Sequence, residues 1–64
     1  MTDAIPLPKI GAPATRALAA IGVTTLEDVS WCREAELLAL HGFGPKAMRI
    51  LHEALTAHGL PLPA

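Results

Sequence analysis

The segment His41-Gly42-Phe43-Gly44-Pro45-Lys46 gathers residue types that hold an anion without a dedicated pocket. A glycine at position 42 admits a backbone shape closed to other residues. Phe43, between two glycines, is an apolar plug that fixes the turn. Gly44 has no side chain to keep an anion off the backbone, and a larger residue there is expected to crowd the turn. Pro45 suits the first position of a helix because its missing N–H would be unpaired there anyway. The opening turn of that helix presents unpaired N–H groups, including that of Ala47, and the positive end of its dipole. An anion docks on such a terminus directly. Lys46 adds a full charge beside it, and Arg49 extends the track one turn along. Phosphate is the anion this arrangement suits, and such contacts position a nucleic-acid backbone without reading its bases.

The other reactive residue types lead to less. His52 and His58 are expected to project to different sides of one helix, and no cysteine or carboxylate joins them and His41 in a four-ligand set, so no metal is expected. Cys32 has no histidine partner and is expected to be a small buried residue. No activated nucleophile, paired carboxylates or ligand cluster can be assembled, so neither catalysis nor a cofactor is expected. The single cysteine excludes a disulfide scaffold and points to a reducing cytoplasm. The apolar runs are too short for a membrane span, and no basic region followed by an apolar block suggests a signal peptide. Trp31 is expected to pack over a helix junction, with a protein interface as the alternative.

The elements that must position the anion-binding segment are helical. In 64 residues, 52% hydrophobic, the only aromatics are Trp31 and Phe43. A core of Leu, Ile, Val, Met and many Ala suits short, closely packed helices. No stretch alternates in strand fashion. The expected fold is therefore all-α, a compact bundle of four to five short helices, with residues 1–9 as an extended lead-in and 10–62 as the domain. A first helix is expected over 13–21, with Ala14, Ala17, Leu18 and Ile21 on one stripe and Gly22 as its left-handed stop. A short second helix follows Thr24, which forms a capping-box pattern with Glu27, and turns Leu26 and Val29 inward. A third is expected from about Arg33 to Leu40. The fourth opens at Pro45 and closes at Gly59 and Pro61, with Leu60 folding back on it. Its inner arc holds Ala47, Leu51, Ala54, Leu55 and His58, and its outer arc Lys46, Arg49, Glu53 and Thr56.

An internal repeat links the first and fourth helices. Ile10-Gly11, then Ala14, Arg16 and Leu18, match Phe43-Gly44, then Ala47, Arg49 and Leu51, at an offset of 33. Each copy is a turn leading into a helix whose Ala and Leu face in and whose Arg faces out. Arg16 and Arg49 are thereby expected in equivalent settings. The net charge of −1 is not that of a typical polyanion binder, but its distribution is informative. Glu27, Asp28, Glu34 and Glu36 form an acidic block relieved only by Arg33, while Lys9 and Arg16 precede it and Lys46 and Arg49 follow it. If the two flanking regions lie side by side, one face is basic and the opposite face acidic. The acidic face is a candidate protein-docking surface.

The residues from His41 to Ala47 resemble the hairpin of helix-hairpin-helix DNA-binding domains. From Ile10 to Leu62 the chain is similar to the C-terminal domain of the bacterial RNA polymerase alpha subunit. The likeness is carried by Leu18, Leu26-Glu27-Asp28-Val29, Glu34-Ala35-Glu36-Leu37-Leu38, Gly44 with Lys46, and the ending His58-Gly59-Leu60-Pro61-Leu62. The resemblance implies a SAM-like fold of two hairpin units that contacts the DNA minor groove and flanking phosphates, in a transcription-related setting. Gly44 and Lys46 match family contact positions. Ala47 stands where the family has Ser, Pro13 where it has its principal minor-groove Arg, and Arg16 where it has a contacting Asn. The expected function is a sequence-nonspecific or weakly selective DNA-binding module acting through Gly11, Arg16, Gly42, Gly44, Lys46, Ala47 and Arg49. The alternative is a protein-interaction module of the same fold.

Overall fold

Proline and glycine mark where this chain enters and leaves its first and last helices. The structure, a computed structural model, describes residues 4–64; residues 1–3, the start of the expected lead-in, lie outside the described residues. Four helices follow in order: α1 (Ala12–Ala20), α2 (Leu26–Ser30), α3 (Glu34–Leu38) and α4 (Pro45–Ala57). Among the described residues there is no strand, only an isolated antiparallel bridge between Pro6 and Thr25. No helix among them is long and apolar enough to cross a membrane.

Helix α1 starts one residue before Pro13, which sits in its second position. It ends in a full Schellman closure. Gly22, at φ +81, donates to the Ala19 carbonyl at 3.0 Å, and Val23 N–H donates to the Leu18 carbonyl at 2.9 Å. That closure overturns one expectation. Ile21 becomes the C-cap and is 47% exposed, because the chain reverses there and Val23 takes the inward place instead. Helix α4 ends the same way, with Gly59 at φ +69 and Leu60 N–H donating to the Leu55 carbonyl at 2.9 Å. His58, expected on the inner arc, is its C-cap and is exposed, since the chain is already leaving the helix. Met48 is buried on that arc instead.

The second helix is capped one residue later than the Thr24–Glu27 pattern suggests. The Leu26 N–H is taken by the Ile5 carbonyl at 2.8 Å, and Thr25 Oγ1 accepts from the Asp28 N–H at 3.2 Å. Glu27 is thereby released from capping, and its carboxylate accepts the Ile5 N–H at 3.1 Å. The lead-in is thus stitched to α2. Helix α3 is shorter than the 33–40 span expected. Arg33 is its N-cap, its N–H donating to Glu36 Oε1 at 3.4 Å, and a turn with Leu40 N–H on the Leu37 carbonyl ends it.

The core is Ala14, Leu18, Val23, Leu26, Val29, Leu37, Phe43, Ala47, Met48, Leu51 and Leu55. Ile5, Leu7 and Ile10 pack on it from the lead-in side, and Pro63 is buried near the other end. Helix α4 is the central strut, packing against α2 and α3. The radius of gyration, 10.6 Å, matches the roughly 10.7 Å expected of one packed body of this length.

Candidate functional site

The second hairpin runs from the end of α3 into α4. Gly42, at φ +86, makes the reversal, and Phe43 N–H donates to the Leu40 carbonyl at 3.1 Å while its ring enters the core. A Cβ on Gly42 would meet the Pro13 carbonyl oxygen at 3.2 Å and the Pro13 Cβ at 3.3 Å. Position 42 thus needs glycine twice over, for its backbone angle and for its close approach to the first turn of α1. Gly44 differs. It caps α4 with φ −119 and ψ 177, extended backbone that any residue adopts, and a Cβ there would meet nothing within 4 Å. The expected crowding of the turn by a larger residue at 44 is therefore corrected. What Gly44 provides is open surface beside the helix end.

No side chain caps α4, and its first internal bond runs from Met48 N–H to the Gly44 carbonyl at 3.1 Å. Pro45 has no N–H to offer, so the N–H groups of the cap residue Gly44, of Lys46 and of Ala47 are the ones left at that end. Helix α1 repeats this arrangement. No side chain caps it, its first bond is Thr15 N–H to the Gly11 carbonyl at 3.0 Å, and Pro13 again lacks an N–H. Ala12 and Ala14 supply the open donors there.

Both helix ends open on one cleft. It brings together Gly11, Gly42, Gly44, Lys46 and Ala47, adds Lys9, and has no aspartate or glutamate in its lining. Ala47 has a buried side chain, so only its backbone N–H is available. Arg16 lines a neighbouring cleft with His41, and the two clefts share Pro13 and Gly42 as walls. Arg49 is exposed but lines neither. Equivalence in the repeat therefore does not bring Arg49 to the cleft as it brings Arg16 close. The sequence marks Lys9 only as one of the basic residues flanking the acidic block, not as a contact residue, because the offset of 33 pairs it with Gly42 and the repeat carries no signal for it.

The acidic block is largely engaged within the molecule. Glu27 holds Ile5 and Glu36 holds the Arg33 N–H. Asp28 Oδ2 accepts the Thr24 N–H at 3.4 Å. Glu34 Oε1 lies 2.8 Å from His52 Nε2; the approach is off the ring N–H direction, so this is an ion pair when the ring is protonated rather than an aligned hydrogen bond. Among the described residues it is the one charge pair within 4 Å, so Arg49 has no carboxylate partner in Glu53 and the cations at the hairpins are unpaired. Cys32 is half-buried, not fully buried, and its thiol is pushed up from the usual range by burial, then by Glu36 and Asp28. Trp31 does not pack over the helix junction; it is 86% exposed, because the α2–α3 junction turns it outward while Val29 and Leu37 fill the interior.

Comparison with protein-family models, curated proteins and solved structures found no match to this chain.

Proposed function

We propose that this chain is a tandem helix-hairpin-helix module of SAM-like arrangement that holds the phosphate backbone of DNA, nonspecifically or with weak sequence selectivity. The observation that carries this reading is the cleft where two uncapped helix N-termini meet Lys9 and Lys46 with no carboxylate in its lining. Each terminus supplies at least two backbone donors and a partial positive charge, and the lysines supply full ones. Two phosphates of one strand, or one from each strand across a groove, are ligands of matching charge and number. Pro13 puts no guanidinium into the cleft, which favours backbone contact over base readout. The module acts by binding, not by catalysis, and a transcription-related role in the cytoplasm fits the resemblance of its sequence.

The test is a titration of labelled duplex at two salt concentrations. Binding in the micromolar range or weaker near physiological salt is expected, as for nonspecific binders generally, with a log–log salt slope of about −2 to −4 for the few cations present. Amide shifts should concentrate near Gly11 and Gly42–Lys46. Absence of salt-dependent binding, with amide shifts confined to 27–36 on adding a protein partner, would favour the interaction-module reading instead.

A further inference from the structure

The end of α1 and the α2–α3 corner form a second groove. Ile21 and Trp31 wall it, Val23 and Cys32 line it with Leu40, and Glu36 is its one charged lining residue. Among the described residues the exposed large apolar side chains are Ile21, Trp31, Leu38 and Leu62. Two of these four meet in this groove. In a domain this small, apolar side chains are scarce, and the core contains a single aromatic ring. Leaving the only tryptophan outside therefore forgoes the largest apolar side chain the chain possesses. Exposed apolar surface rimmed by polar groups marks an interaction site.

We propose that this groove docks a basic amphipathic segment of a partner protein, with leucine-like side chains against Trp31 and Ile21 and an arginine or lysine at Glu36. Charge selects the partner. The groove has no lysine or arginine in its lining, and Glu36 stands at its edge. Burial pushes the Cys32 thiol up first, and Glu36 and Asp28 push it the same way. A polyanion or an anionic membrane is repelled by such a rim. A guanidinium gains from both neighbours, the carboxylate of Glu36 and the face of the Trp31 ring. A second copy of this chain fits less well. Its cations Lys9, Arg16 and Lys46 stand among glycine, proline, alanine and the half-buried Ile10 and Ile50, with no fully exposed large apolar residue beside them to enter the groove. The groove shares no lining residue with the hairpin cleft, so the proposal stands independently of DNA binding.

Trp31 is the single tryptophan, which makes the groove its own reporter. The probe is a synthetic amphipathic peptide with leucines on one helical face and arginines on the other. It should shift Trp31 emission to the blue in a saturable way and slow alkylation of Cys32. The same peptide with glutamate for arginine should bind at least about tenfold more weakly, because like charge then meets Glu36. Trp31→Ala should keep its melting temperature, since the side chain is exposed, and should weaken binding of a labelled peptide at least about tenfold. Glu36→Gln should reduce the preference for the arginine peptide over the glutamate one. No blue shift with the arginine peptide would overturn the proposal. So would equal binding of the two peptides, or unchanged affinity in Trp31→Ala. A blue shift that follows protein concentration without peptide would assign the groove to a second copy of the chain and likewise overturn it.

Discussion

Gly11 and Gly44 occupy the same position of the repeat, and both cap the helix that follows, yet Gly11 has φ +95 and Gly44 has φ −119. The inward faces of the two copies agree closely. Ala14 and Ala47 are buried, Leu18 and Leu51 are fully buried, and Arg16 and Arg49 are both exposed. The turns do not agree. In the first hairpin the left-handed residue is the cap itself; in the second it is Gly42, two residues upstream. The helices differ as well, 9 residues for α1 and 13 for α4, a difference of about one turn. The same residue type at equivalent positions thus does two jobs. Gly11 is needed for a backbone angle, and Gly44 for the empty space beside it.

That division can be broken by substitution. The largest losses belong to the shared inner face: Leu51→Ala and Leu18→Ala should each cost about 2–5 kcal/mol by urea unfolding. Leu51 should cost more, because α4 packs against both α2 and α3. A larger loss at Leu18 would contradict α4 as the central strut. Next come the turns. Gly42→Ala should cost about 1–3 kcal/mol, as it combines a left-handed angle with the contact to Pro13. Gly11→Ala has room, with Pro13 Cδ no nearer than 3.9 Å, but φ +95 with ψ 151 is a conformation essentially confined to glycine, so it should also cost about 1–3 kcal/mol. Gly44→Val should cost no more than the roughly 1 kcal/mol of a poorer N-cap and still weaken duplex binding, because its side chain fills the space a phosphate needs. A loss well above that at Gly44→Val would restore the view that both hairpin glycines serve the turn.

Smaller effects sharpen the comparison on the charged side. Lys46→Ala and Lys9→Ala should each weaken binding to every duplex alike and lower the salt slope by about one ion, with folding unchanged. Arg16→Ala should behave similarly, and Arg49→Ala should matter less, since its side chain lies outside both clefts. Equal effects of the two arginines in the titration would show that the repeat, not the clefts, sets the contact surface. The smallest effect is alkaline. The Cys32 thiol is raised in the folded protein, so its contribution is fully present below the unfolded thiol's titration and is lost as pH rises through the folded one. Melts of the parent should fall slightly at high pH, those of Cys32→Ser should fall less, and neither should differ in duplex binding at neutral pH.

Much of this was legible in the sequence because proline and glycine act locally. Pro45, Gly22 and Gly59 place helix ends through backbone angles that depend on few neighbours. The inner arcs followed from helical spacing, and the acidic and basic segments from simple position. Failures came where a distant segment decides. Thr24 loses the cap to Thr25 because Ile5, far back in the chain, claims the Leu26 N–H. Ile21 fails for a local reason instead, because the reversal at Gly22 already begins there and Val23 takes the inward place. Trp31 has the composition of a core residue, but the corner between α2 and α3 points it outward, and nothing in residues 26–36 alone reveals that corner. Lys9 reaches the cleft only because the first hairpin lies against the second.

The stitching of Ile5 and Ala64 to the same corner has a mechanical consequence. Ile5 is held by Leu26 and Glu27 of α2, and the Ala64 carbonyl accepts the Glu34 N–H of α3 at 2.8 Å. Tension applied through tethers at residues 5 and 64 would load the short α2–α3 corner first. In hydrogen exchange, the amides of Leu26 and Glu34 should therefore act as strain gauges, losing protection under load while those of α4 keep theirs.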